Sequence, residues 1–238
     1  TVEGLTAIEG RVTTVENGVT TTESYEYGVP VVDADGNVTG YNSIVKTITT
    51  DDGAGNVTTA TEVTTRQVQD ITDAEGNVVG STTTVNVTTT DNDGNVTGSQ
   101  ETVTEVNGDK TTSTTSTYDG TGTKTGSTTT ETTVTSSGST QKVTTEGADG
   151  KTTSVETKRN ANGSVTEVVS TDKNGNKATA TPDGNVKYED RDGKPIDNPG
   201  TFNDDGSLKD EGTQDGGTTG SEGNGEQPAD GSAGNGEQ

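Results

Sequence analysis

Along residues 81–90, STTTVNVTTT, Thr83, Val85, Val87 and Thr89 fall on one side of an extended chain and Thr84, Asn86 and Thr88 on the other. That period of two predicts a β-strand. Comparable stretches recur from about residue 28 to 200, and one turn phrase punctuates them. It reads DADGNVTG at 33–40, DGAGNVTT at 52–59, DAEGNVVG at 73–80 and DNDGNVTG at 91–98. The phrase's glycines Gly36, Gly55, Gly76 and Gly94 lie 19, 21 and 18 residues apart, a spacing that suits a repeating unit of strand, turn and strand. Further turns are expected at NGD 107–109, YDGTG 118–122, ADGK 148–151, NANGS 160–164, DKNGN 172–176, PDGN 182–185 and DRDGK 190–194, because Asp, Asn and Gly tolerate positive φ. Even the more apolar face of such a strand is half threonine. Backbone ladders and methyl contacts are therefore expected to hold the sheet more than an apolar interior does.

A different period opens the chain. Leu5, Ile8, Val12, Val15 and Val19 are spaced 3, 4, 3 and 4 apart, the alternation of a coiled-coil seam, and β-branched residues at both seam positions favour three strands over two. Gly4 and Gly10 work against a helix, and the alternative for the segment is a short apolar strand or linker. The resulting fold class is all-β: a repetitive antiparallel β-hairpin fibre or stalk, with a short N-terminal coiled coil and a disordered C-terminal tail. Its expected divisions are 1–19 coiled coil, 20–32 junction, 33–200 β-hairpin shaft and 201–238 flexible acidic Gly-rich tail, in which GNGEQ occurs at 223–227 and 234–238.

Composition changes this picture in two ways. Leu, Ile, Val and Phe together number 34 in 238 residues, and the net charge is -24, a combination that borders on intrinsic disorder. Against that, Thr occurs 54 times and Val 26 times, and β-branched residues prefer strands. Ordered β-structure is the better reading, with a homotrimer as the expected source of the burial that one chain lacks.

The chain has no Cys, His, Met or Trp, which removes thiol nucleophiles, imidazole acid–base chemistry, disulfides and His/Cys metal sites. It is read as not an enzyme, with no catalytic, metal or cofactor residue and no cofactor. Asp33, Asp35 and Asn37, like Asp91, Asp93 and Asn95, open like a calcium loop, but Val38 and Val96 stand where its sixth-position Gly belongs and Ile44 and Thr102 where its Glu belongs. A hairpin turn accounts for them without metal. Asn37, Asn56, Asn86, Asn95 and Asn162 begin N-x-Thr/Ser sequons, which arise by chance in a chain this rich in Thr. Paired carboxylates such as Asp51 with Asp52 and Asp204 with Asp205 lack a cleft to desolvate one partner. Tyr25, Tyr27 and Tyr41 are expected to pack at the junction. The negative charge disfavours nucleic acid and anionic lipid, and no apolar run reaches the 18 or so residues of a membrane span.

The run TVEGLTAIEGRVTTVENGV, followed directly by β-repeats, resembles the short coiled-coil segments that join β-rich modules in bacteriophage tail or head fibres and in trimeric bacterial adhesins. TYDGTGTKTG at 117–126 is similar to YD-type hairpin repeats. The resemblance implies a non-enzymatic virion fibre or decoration protein for attachment or spacing, displayed extracellularly. Its implied partners are other copies of itself, other virion or cell-surface structural proteins, and a host surface glycan or protein. A bacterial or archaeal surface stalk, adhesin or filament is the alternative.

Overall fold

The computed structural model describes residues 4–8 and 11–209, which form fifteen β-strands and no helix. The strands are β1 Val12–Glu16, β2 Val19–Tyr27, β3 Pro30–Val32, β4 Val38–Tyr41, β5 Ser43–Asp51, β6 Val57–Thr72, β7 Val78–Thr90, β8 Val96–Asn107, β9 Lys110–Asp119, β10 Lys124–Thr135, β11 Gly138–Gly147, β12 Thr152–Asn160, β13 Val165–Thr171, β14 Lys177–Ala180 and β15 Val186–Glu189. Thirteen of them make one antiparallel meander in chain order, while β3 and β4 form a small hairpin inserted between β2 and β5. The all-β, antiparallel expectation therefore holds.

The principal strand-to-strand contacts all lie between sheet neighbours. Among the described residues the only other sheet is the two-stranded β3–β4 hairpin. Among the described residues only Ala178 and Phe202 are buried hydrophobics, joined by the buried polar residues Ser170 and Asp172. What orders the rest is the backbone ladder, whose register runs without a break over ten pairs between β8 and β9 and over ten between β10 and β11. Threonine hydroxyls add cross-strand bonds, at 2.9 Å between Thr102 and Thr115 and 3.0 Å between Thr114 and Thr129.

The turn phrase supplies the reversals, and each of its letters has a task. The Asp91 N–H donates to the Asn95 carbonyl at 2.9 Å and the Gly94 N–H to the Asp91 carbonyl at 3.1 Å. Gly94 sits at φ 81°. This is a type I turn closed by a left-handed residue, the commonest three-residue hairpin loop. The Asp91 carboxylate caps the backbone N–H groups of Asp93 and Asn95, both at 2.9 Å, and Val96 opens the next strand. The same pair of backbone bonds closes 33–37, 73–77, 119–123, 147–151, 160–164, 172–176, 181–185, 190–194 and 203–207, so every later turn expected at an Asp-Gly or Asn-Gly step of this kind forms.

Three expectations are corrected. The unit between consecutive turn glycines is not uniformly two strands: β6, of 16 residues, and β7, of 13, each fill one interval alone. Nothing thick lies beneath the sheet to limit strand length. The coiled coil is absent as well. Val12 and Val15 lie in β1, Val19 begins β2, and Asn17 and Gly18 turn between them at φ 51° and 81°. The Asn-Gly step is a two-residue hairpin turn, and pairing along β2 satisfies this segment's backbone where a lone helix of this length could not hold. Leu5 instead bridges Tyr41, and residues 1–3, 9 and 10 lie outside the described set.

Third, chain assigned to the tail is structured as far as Lys209. Thr201–Lys209 folds as a hairpin over β13–β15, with Phe202 fully buried at 5.9 Å from the Tyr188 ring. The Thr201 hydroxyl donates to Asp172 at 2.7 Å and the Tyr188 hydroxyl to the Asn203 carbonyl at 3.3 Å. Gly206, at φ 80°, lies so close that a Cβ there would meet Val186 at 3.1 Å. The rest of the expected tail, residues 210–238, lies outside the described residues.

Phe202→Ala is expected to cost about 3–5 kcal/mol locally. Hydrogen exchange should show protection lost in β13–β15 and retained in β5–β8, since stability in a single-layer array is a nearest-neighbour property. Gly94→Val should destabilise the β7–β8 hairpin by about 1–2 kcal/mol through its left-handed backbone, more than Asp91→Asn does.

Candidate functional site

Directly paired residues of antiparallel strands share a face, so the register assigns every side chain to one side or the other. One row on the first face runs Val85, Thr102, Thr115, Thr128, Thr145 and Thr153 across six strands. Its flanking residues are of the same kind: Val87, Gln100 and Thr117 on one side, Thr104, Ser113, Thr130 and Val143 on the other. Over β7–β11 this face carries no charged side chain between its bounding turns.

The opposite face of the same strands differs. It holds Glu101, Glu105, Lys110, Glu131, Lys142 and Glu146, with ion pairs at 2.8 Å between Lys110 and Glu131 and 3.2 Å between Lys124 and Glu146. These groups are partly exposed, and such pairs contribute little stability. Their consequence is to make this side a charged, solvated surface.

Beyond β7–β11 the same side carries charge at Glu62, Arg66 and Asp70 of β6 and is covered in part by the chain itself. At the C-terminal end the hairpin 201–209 lies on Ala178, Ala180 and Val186. At the N-terminal end Arg66 reaches from β6 to the Gly4 carbonyl at 3.2 Å, and Tyr27 bonds the backbone of Ile8. Tyr27 and Tyr41 stack at 4.7 Å, so two of the three junction tyrosines pack together. The third, Tyr25, donates to Glu23 at 2.7 Å, and Lys46 pairs with Glu23 at 3.1 Å. The Tyr25 bond, then the Lys46 ammonium, lower the Glu23 pKa, and the Glu23 carboxylate raises that of Tyr25.

The turn carboxylates are occupied by their own backbone. Asn37 N–H, then the Asn37 side-chain amide, hold the Asp33 pKa below its ordinary 3.8. In Asp73 the Asn77 amide contributes most and in Asp119 the Thr121 hydroxyl does. Burial opposes ionisation of Asp172, which is only 4% exposed, yet bonds from Thr201 and Asn176 outweigh it and its pKa is also lowered. Asp51, Asp52 and Asp205, from the paired carboxylates, likewise cap turn residues Gly53, Ala54 and Ser207 at 2.8–2.9 Å.

Among the described residues no group of three acidic side chains is placed to hold a metal. Sequon residues Asn37, Asn56 and Asn95 spend their side-chain amides on Asp33, Asp52 and Asp91, while Asn86 lies mid-strand on the charged side and Asn162 in a turn. A shallow concavity beside the C-terminal hairpin is lined by Thr145, Thr153, Asp172, Lys173, Thr201 and Leu208. It contains one carboxylate, itself capped. The functional feature that sequence reading missed is the contrast between the two faces. Alternation was visible strand by strand, but which alternate set lines up with which depends on register and on bulges such as those at Thr89/Thr90 and Lys124/Gly126.

Carboxylates whose pKa falls on folding stabilise fully above about pH 4, the unfolded value, and lose that contribution as pH falls through the folded one. The melting temperature should therefore stay level from pH 7 to about 5 and drop below about 4. Asp73→Asn should flatten that drop in part, measured by circular dichroism. No protein-family model matches the chain, and no curated protein or solved structure matches it either, so its function is read from the sheet and its two unlike faces.

Proposed function

We propose that the chain is a non-enzymatic structural spacer: a fibre, stalk or decoration element displayed on a virion or cell surface and exposed to the exterior. One observation carries this reading: thirteen strands follow one another in a single layer in which each makes its principal strand contacts with its neighbours. Such an array gains reach strand by strand, and at about 4.8 Å per strand thirteen cover about 58 Å. It gains no interior in which to build a cleft. Absence of His and Cys from the whole chain fits the same reading, as does the lack, among the described residues, of any helix long and apolar enough to cross a membrane.

Virion fibre or decoration stands first and cell-surface stalk or adhesin second. Association of copies, and attachment to a surface glycan or protein, belong to this proposal. The heptad reason for three copies goes with the helix; the shortage of buried apolar surface remains a reason for association.

The spacer reading is tested by small-angle scattering and by the distance between reporter labels on Thr14→Cys in β1 and Lys187→Cys in β15, the strands at the two edges of the sheet. The reporters should stand about 60 Å apart, and deletion of β9 and β10 with their connecting turns should shorten the gap by about 10 Å while preserving the β circular dichroism spectrum. A compact globule insensitive to that deletion would refute it.

A further inference from the structure

We infer that the uncharged face of β7–β11 is a docking surface for a second copy of this chain, the two sheets meeting face to face about a two-fold axis near β9. This deepens the spacer reading, and rests on it, by naming the partner.

Charge selects the occupant. Each chain carries -24, so two copies repel wherever charged surfaces meet. The face built around Thr102, Thr115 and Thr128 is free of charge between its bounding turns, whereas the other side of the same strands carries Glu101, Glu105, Glu131 and Glu146 with Lys110 and Lys142, groups that lose hydration if a second copy covers them. Joining the uncharged faces puts the charged ones on opposite outer surfaces, at the greatest separation the assembly allows.

Area supports the same occupant. Five strands at about 4.8 Å spacing, paired over nine to eleven residues of about 3.4 Å, present roughly 800 Å² per copy. A stable interface takes about 800 Å² from each partner. The surface is also self-complementary: a two-fold axis along β9 sets β7 of one copy over β11 of the other and leaves each cross-strand row facing itself, so that Val85 meets Thr145 and Val143 meets Thr83. The chain already uses this face in the same way, since its own hairpin 201–209 covers the β13–β15 end and buries Phe202 there. A second copy continues that covering layer across the open middle.

Thr115 and Thr114 make a matched test. They are neighbours on β9, each makes one cross-strand hydroxyl bond, at 2.9 and 3.0 Å, and they point to opposite faces. Light scattering after size exclusion should give twice the chain mass for wild type and for Thr114→Glu, and a concentration-dependent fall toward the single-chain mass for Thr115→Glu. Circular dichroism must show β-structure in each. Because the chain has no cysteine, nitroxides on Thr115→Cys and Thr114→Cys give a second reading that needs no added charge. Label 115 should report a short interspin distance set by sheets about 10 Å apart, and label 114 a longer one. A wild-type monomer that keeps its β spectrum, a trimer, or equal loss of association in both glutamate variants overturns the inference. A monomer that nevertheless holds its reporters about 60 Å apart overturns docking while leaving the spacer reading intact.

Discussion

The backbone hydrogen-bond ladder is the interaction on which everything else in this protein depends. In most domains a sheet earns its order by pressing one face against a second layer; here the principal contacts of each strand are with its neighbours, and two hydrophobic side chains among the described residues are fully buried. The demands on the ladder explain the composition. Threonine and valine keep strands extended through their stiff χ1 angles, and the recurring Asp-x-x-Gly-Asn frame reverses the chain with its own polar groups satisfied inside each turn. Long strands follow from the same circumstance, because no core thickness dictates where β6 or β7 must stop.

The two sides of the sheet are chemically distinct although both are rich in threonine. Over β7–β11 charge is gathered on the side of Glu101, Lys110 and Glu131, and the side of Thr102, Thr115 and Thr128 is kept clear of it, whereas on β6 that same side carries Glu62, Arg66 and Asp70. Hydroxyls there still bond across strands, so the uncharged side tolerates water and remains able to accept a dry partner. That combination is what the proposed spacer and its docking of a second copy would draw on.

Turn chemistry made much of this fold legible from sequence, since Asp-Gly and Asn-Gly steps act within five residues and need no tertiary partner. Legibility failed where non-local pairing decided the outcome. Leu5, Ile8, Val12, Val15 and Val19 do have heptad spacing, yet Asn17-Gly18 between the last two bends tightly and β2 offers Val12–Glu16 a pairing edge. Phe202 reads as a lone aromatic in a polar run until β13–β15 are in place to receive it. Face chemistry was hidden for a related reason: a one-residue bulge reverses which alternate residues point together, so the threonine row emerges only from the register.

The meander also determines how the molecule answers a pull. Its first and last strands lie at opposite edges of the sheet, so tension applied across those edges runs along the hydrogen bonds and loads them one pair at a time, as in a zipper, instead of shearing a whole strand at once. Each released strand of about twelve residues pays out about 40 Å of slack, and its turn remains ready to re-form when the load relaxes. Four-residue β14 and β15 at one edge and five-residue β1 at the other yield before 16-residue β6, which gives the sheet a graded compliance, soft at its edges and stiff toward its middle.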